Sequence, residues 1–246
     1  MSQRSIRGTI RYTSNKPERL GQERGREYFI LTDQADGVRT MHAHCEIDDP
    51  PNVIRDIVMS IDGAGRPIDC SVRLSVGDRF EGIGLMRFTD RHAECETFNH
   101  RDGRITQRID LEAPVGVLGA HPICGDALSL RLYDLGAGPG RKFFRNLMLT
   151  SPDHRGATGP LLFPIGFGLE YVGPERVSVA AGDFEALHFR YVDTAGQLPE
   201  EHPPYDVWCS AEGDYVFLKG AVGGYMQTYY ELTELVRSGP ATPARR

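Results

Sequence analysis

Residues 67–88 read PIDCSVRLSVGDRFEGIGLMRF. Ile68, Cys70, Val72 and Leu74 alternate with Asp69, Ser71, Arg73 and Ser75. A period of two sends one set to a buried face of a strand and the other to a polar face. Gly77-Asp78 breaks this run before a second one begins at 79. The same punctuation recurs at Asp36-Gly37, Asp62-Gly63 and Asp102-Gly103. It bounds runs at 26–34, 37–47, 53–62, 67–76, 79–88, 91–99 and 103–111. Asp-Gly between alternating runs marks a hairpin, so the first half reads as a meander of consecutive antiparallel strands.

Outward from this meander the pattern changes. Residues 112–168 carry many glycines and prolines and no clean period, with one short helix-like piece near 125–135. A long irregular stretch inside a compact domain is a place to expect function. Strands return with GLEYVGPERVSV, the turn at Ala181-Gly182-Asp183, FEALHFRYVD, YDVWCSA, YVFLKGA and GYMQTYYELTEL. The expected fold is all-β: one large antiparallel sheet curled into a half or nearly closed barrel. It forms a single domain over 1–238, with 112–168 lying across the mouth and 239–246 as a disordered tail.

Residues 172–191, VGPERVSVAAGDFEALHFRY, resemble a hallmark hairpin of a group of bacterial domains of unknown function, G-x-E-x-V-x-V-x-A-G-x-F-x-x-L. Gly173, Glu175, Val177, Val179, Ala181, Gly182, Phe184 and Leu187 meet it, and Asp206-Val207-Trp208 is similar to the Trp-bearing strand that follows. The resemblance implies a half-barrel similar in shape to the carriers of bacterial lipoproteins, in a family whose typical member is exported.

Composition limits the partners. Lys+Arg number 28 and Asp+Glu 34 in 246 residues, a net charge of −6. That balance argues against nucleic acid and against an anionic membrane surface. The N-terminus has no apolar stretch of signal-peptide length, which predicts a cytoplasmic location. Cys45, Cys70, Cys95, Cys124 and Cys209 are odd in number and lack a CxxC, so they read as small apolar fillers. Gly136–Lys142 lacks the phosphate-loop register, and no G-x-S-x-G elbow or dinucleotide fingerprint occurs. No cofactor is expected.

Three polar clusters could carry chemistry. His42, His44 and Glu46 share one strand face, a spacing compatible with acid–base work or, with His121 or His154 added, with a metal; none is expected. Asp126, after His121-Pro122, reads as a helix cap or as a partner of His121. Asp153, His154 and Arg155 lie between turn formers, where His can move a proton and Arg can hold an anion. Arg55 and Arg73 fall on central strands and need partners. Trp208, Lys219, Tyr225 and Tyr229, with Tyr215 nearby, are candidate walls of a ligand groove. The reading expects His121, His154 and Arg155 to meet Tyr229 and one of His42 or His44 on the concave face. The function expected is a cofactor-independent lyase, hydratase or isomerase acting on a small aromatic or apolar compound. The rival is a non-catalytic carrier of an apolar ligand; a homodimer is compatible with both.

Overall fold

The computed structural model describes residues 4–194 and 198–239; the expected tail beyond 239 lies outside them. The strands are β1 (Arg4–Ser14), β2 (Glu23–Asp33), β3 (Arg39–Ile47), β4 (Val53–Ile61), β5 (Pro67–Val76), β6 (Arg79–Phe88), β7 (His92–Asn99) and β8 (Gly103–Asp110). After β9 (Val117–Gly119) and helix α1 (Ile123–Ser129) come β10 (Gly140–Leu149), β11 (Phe163–Val179), β12 (Gly182–Val192), β13 (Tyr205–Ser210), β14 (Phe217–Val222) and β15 (Thr228–Ser238). All of them join one 15-stranded sheet, ordered β8 back to β1, then β15 back to β9. The pairing of β1 with β15 fuses the two halves, and β8 and β9 remain as edges, so the sheet curls without closing.

Alternation builds the core as expected. Cys70, Val72 and Leu74 are buried on β5, and Met41, Ala43 and Cys45 on β3. They meet Phe189, Val207, Cys209 and Phe217 of the C-terminal half. Helix α1 lies against β9, β13 and β14 and inserts Cys124, Ala127 and Leu128 into the same core. All five cysteines are buried thiols, consistent with a filling role.

The stretch 112–168 is richer in structure than its composition predicts. It supplies β9, α1, β10 and the start of β11. On β10 the register shifts between Phe144 and Leu147, and Asn146 has φ 57°, which interrupts the alternation that would have marked a strand. β1 is also an addition to the meander. Its inward positions are Ile6, Gly8, Ile10 and Tyr12, and a Cβ at Gly8 would meet the Phe29 ring at 2.4 Å. The C-terminal hairpin pairs Val177 with Phe184 and Val179 with Gly182. Leu187 lies opposite Pro174, and the reversal falls at Ala180 and Ala181. Val177 and Leu187 are buried, while Val179 and Phe184 are half-buried against the core.

Candidate functional site

The sheet has two unlike faces, and the candidate residues divide between them. The inner face, lined in part by residues from 117–167, carries a half-open cavity with two adjoining lobes of about 250 and 160 Å³. His121, Ile123, His154, Met226 and Tyr230 line both lobes. Arg155 and Tyr225 stand in the wall of the larger lobe, with Tyr12, Arg55 and Glu200. Asp126, Tyr191, His202 and Tyr205 complete the smaller one.

The N-terminal wall is built around a buried carboxylate. Glu27 sits on the inward phase of β2 with no exposed surface. Its Oε2 accepts from the Tyr12 hydroxyl at 2.8 Å and the Ile123 amide at 2.7 Å; its Oε1 accepts from the Cys124 amide at 2.9 Å. These are orphan donors of the first turn of α1, where a negative charge is favoured. Glu27 therefore caps the helix from another strand. Asp126, expected as a cap, instead lies in the first turn, against the cavity. Burial, followed by the Glu27 charge, drives its pKa well above the ordinary carboxyl value. Burial therefore favours the protonated, uncharged form of Asp126.

His121 is opposite in character. Its φ of 76° is a left-handed conformation that costs a non-glycine residue energy, and such strain concentrates at functional sites. Its Nε2 lies 3.0 Å from the Ser151 carbonyl oxygen. A carbonyl only accepts, so the network assigns the proton to Nε2 and leaves Nδ1 as an acceptor. Burial, reinforced by the nearby Arg55 charge, lowers the imidazole pKa to about 3. His202 donates from Nδ1 to the Pro203 carbonyl at 2.7 Å, and burial lowers its pKa too. His154 packs edge-on to Tyr225, with ring centroids 6.0 Å apart, and is likewise lowered chiefly by burial.

Arg55 fixes the loop that carries His154. Its guanidinium is buried, donating to the Gly156 carbonyl and, at 2.8 Å, to the Thr150 hydroxyl. Desolvation lowers its pKa to about 10. Asp153 accepts from the Arg155 and Ala157 amides at 2.9 and 3.0 Å, and Arg155 reaches the Pro51 carbonyl at 3.3 Å.

The pKa directions fix a pH dependence. His121 is lowered, so its stability contribution is intact above the ordinary 6.5 and is lost as pH falls from 6.5 towards 3. The ceiling is about 1.4 kcal/mol per pH unit. Asp126 is raised, so its contribution is lost as pH climbs above the ordinary 3.8. Thermal melts of His121→Gln should therefore flatten the acid limb. Asp126→Asn should melt above the wild type at pH 8 and level with it at pH 4.

The opposite face of the first half holds His42, His44 and Arg73, in an open groove of about 1070 Å³. His44 is held between Asp56 Oδ1 at 2.6 Å and Glu46 Oε1 at 3.1 Å, stacked on Tyr28. Burial lowers its pKa, but the two carboxylates outweigh that and raise it. With both nitrogens bonded to carboxylates, His44 has no lone pair directed at a shared ion. Among the described residues no three His, Cys, Asp or Glu side chains converge as metal ligands.

Two expectations of a single site are therefore corrected. His42 and His44 cannot meet His121 and His154, because Cys45 next to His44 points into the cavity and period two sends the histidines to the other face. Trp208, Lys219 and Tyr229 leave the cavity for the same reason. Tyr205, Val207 and Cys209 are the inward residues of β13, and Thr228, Tyr230 and Leu232 those of β15. On the outer surface Lys219 lies 4.2 Å over the Trp208 ring, which stacks on His188 at 4.1 Å and donates to Glu175. Glu27, His202 and Tyr205 were missed. Glu27 did carry a signal, a charge on the apolar phase of an alternating strand.

No protein-family model matches the chain, and no curated protein matches it. Among solved structures it is similar to the β-barrel-like protein of the domain of unknown function DUF1849 from Brucella abortus. The TM-score is 0.56 at 12% identity, over 96% of this chain and 97% of that one. A Bacteroides fragilis protein of YmcC-like fold aligns over 96% and 95% of the two chains at 11% identity, with a TM-score of 0.31. The first similarity supports the β-barrel-like fold. No helix among the described residues is long and apolar enough to cross a membrane.

Proposed function

We propose that this chain is an enzyme, a lyase, hydratase or isomerase, that moves protons on a small aromatic or apolar compound held in the inner cavity. The observation that carries the proposal is the convergence of His121, His154, His202 and Asp126 on one enclosure. They arrive from three segments of the chain, His121 and Asp126 sharing one, and burial favours the uncharged form of each. Environments that push the pKa values of neighbouring groups apart allot the acid and base roles. Asp126, whose protonated form burial favours, is assigned as the acid. The imidazoles, held neutral with Nδ1 of His121 as acceptor, supply the base. One takes a proton from substrate carbon or hydroxyl as the other donates to the oxygen on which charge develops.

Tyr191, Tyr205 and Tyr230 give the compound aromatic walls. Arg155 and Tyr225 stand at the larger lobe, placed to orient a polar substituent. The enclosure suits a compound of roughly ten to fifteen heavy atoms rather than a polymer. The test is solvent-isotope labelling: a panel of aryl alcohols and aryl carbonyl compounds is incubated with the protein in deuterated buffer. Deuterium should enter one carbon of a substrate or product. His121→Gln should lower the rate by roughly 100-fold or more.

A further inference from the structure

We infer that the outer groove is a second binding site, for a long-chain amphiphilic carboxylate. Strand register lays out its lining. One row crosses the sheet through Val236, Arg7, Ile30, His42, Val58, Ser71 and Leu85 to Glu96. The next runs through Glu234, Thr9, Tyr28, His44, Asp56, Arg73, Ile83 and Phe98 to Arg104. On the far side of Arg73 the surface is apolar and open: Ile83 is 46% exposed, Leu85 62% and Phe98 55%. These three side chains form a contiguous exposed apolar patch, the kind of surface on which ligands can dock.

Charge and shape select the occupant. His44 is paired with Asp56, and Arg104 with Glu96 at 2.9 Å. Among the described residues neither Arg73 nor Arg7 has a carboxylate within 4 Å, and Arg73 makes a cation–π contact with Phe80 at 4.7 Å. Glu234, at the other end, accepts from the Thr9 hydroxyl at 3.2 Å. An arginine without an ion pair beside the contiguous side chains of Ile83, Leu85 and Phe98, with Glu96 and Arg104 paired at the rim, matches an anionic head with an apolar tail. The carboxylate belongs on Arg73, with the chain over Ile83, Leu85 and Phe98. The site is separate from the inner cavity, with the sheet between them.

The test uses cis-parinaric acid, a fluorescent fatty acid, titrated into the full chain. Saturable one-to-one binding is expected. Leu85→Glu should weaken it at least tenfold and Arg73→Gln several-fold, with melting temperatures unchanged because both side chains are exposed. Oleate should displace the probe better than oleyl alcohol, and Arg73→Gln should erase that preference. His121→Gln should bind as the wild type does, which separates this site from the cavity. Absence of saturable binding, or binding that Leu85→Glu leaves intact, would overturn the inference. So would a wild-type dimer that Leu85→Glu splits, since the occupant would then be a second copy.

Discussion

Replacing Glu27 by alanine should cost about 3–5 kcal/mol, more than most single changes in the core. The carboxylate is fully buried, forms no ion pair with an arginine or lysine among the described residues, and is held by the Tyr12 hydroxyl, two backbone amides of α1 and the Cys45 thiol at 3.4 Å. Alanine leaves those amides buried without an acceptor and opens a void between β2 and α1. The damage should begin locally. Amide hydrogen exchange at Ile123 and Cys124 should accelerate before that of the β3–β6 strands, and the His121 environment should be lost with it. Glu27→Gln keeps one acceptor oxygen and should fall between the two. A urea melt showing a loss under about 1 kcal/mol would contradict the role assigned to Glu27.

Gly156→Ala should be the second most damaging substitution, at about 2–4 kcal/mol. Two costs combine. The residue has φ 67°, which alanine adopts at a penalty. The added Cβ would also meet Arg55 Nη1 at 2.8 Å and Cδ at 2.9 Å. Arg55 is only 1% exposed and bonded to this same loop, so it has little room to yield. The loop should detach, carrying His154 and Arg155 away from the cavity. Limited proteolysis within 150–160 reads this directly. Cleavage should appear in the variant under conditions where the wild type resists it. A melt and digestion pattern identical to the wild type would show that the latch is slack.

Much of the fold was legible because it is local. The seven runs between 26 and 111 match β2 to β8 closely, since a period of two and Asp-Gly turns are written within about ten residues of one another. β10 was hidden because its bulge breaks the alternation, and half its side chains face solvent. The candidate site was legible only in pieces. His121 and His154 were marked by ionisable groups between glycines and prolines, and they do share one cavity. His202 and Tyr205 join them from a segment about 50 residues further on, and no local pattern encodes that contact. Phase was the avoidable error. The position of Cys45 between His44 and Glu46, and of Trp208 between Val207 and Cys209, assigns faces without any structure. An inward cysteine or valine sends its neighbours outward. The separation of the groove histidines from the cavity histidines was therefore contained in the alternation itself.

Solvent deuterium is the most direct probe of the central claim, because it reports proton transfer whichever bond is made or broken. The wild-type protein, an aryl alcohol or aryl carbonyl panel and deuterated buffer should yield a compound labelled at a single carbon, as read by proton NMR and mass. His121→Gln and Asp126→Asn should suppress the label, and Leu85→Glu in the outer groove should not. A panel that returns unlabelled and unchanged, or labelling that survives both cavity substitutions, would contradict an acid–base site in the inner cavity.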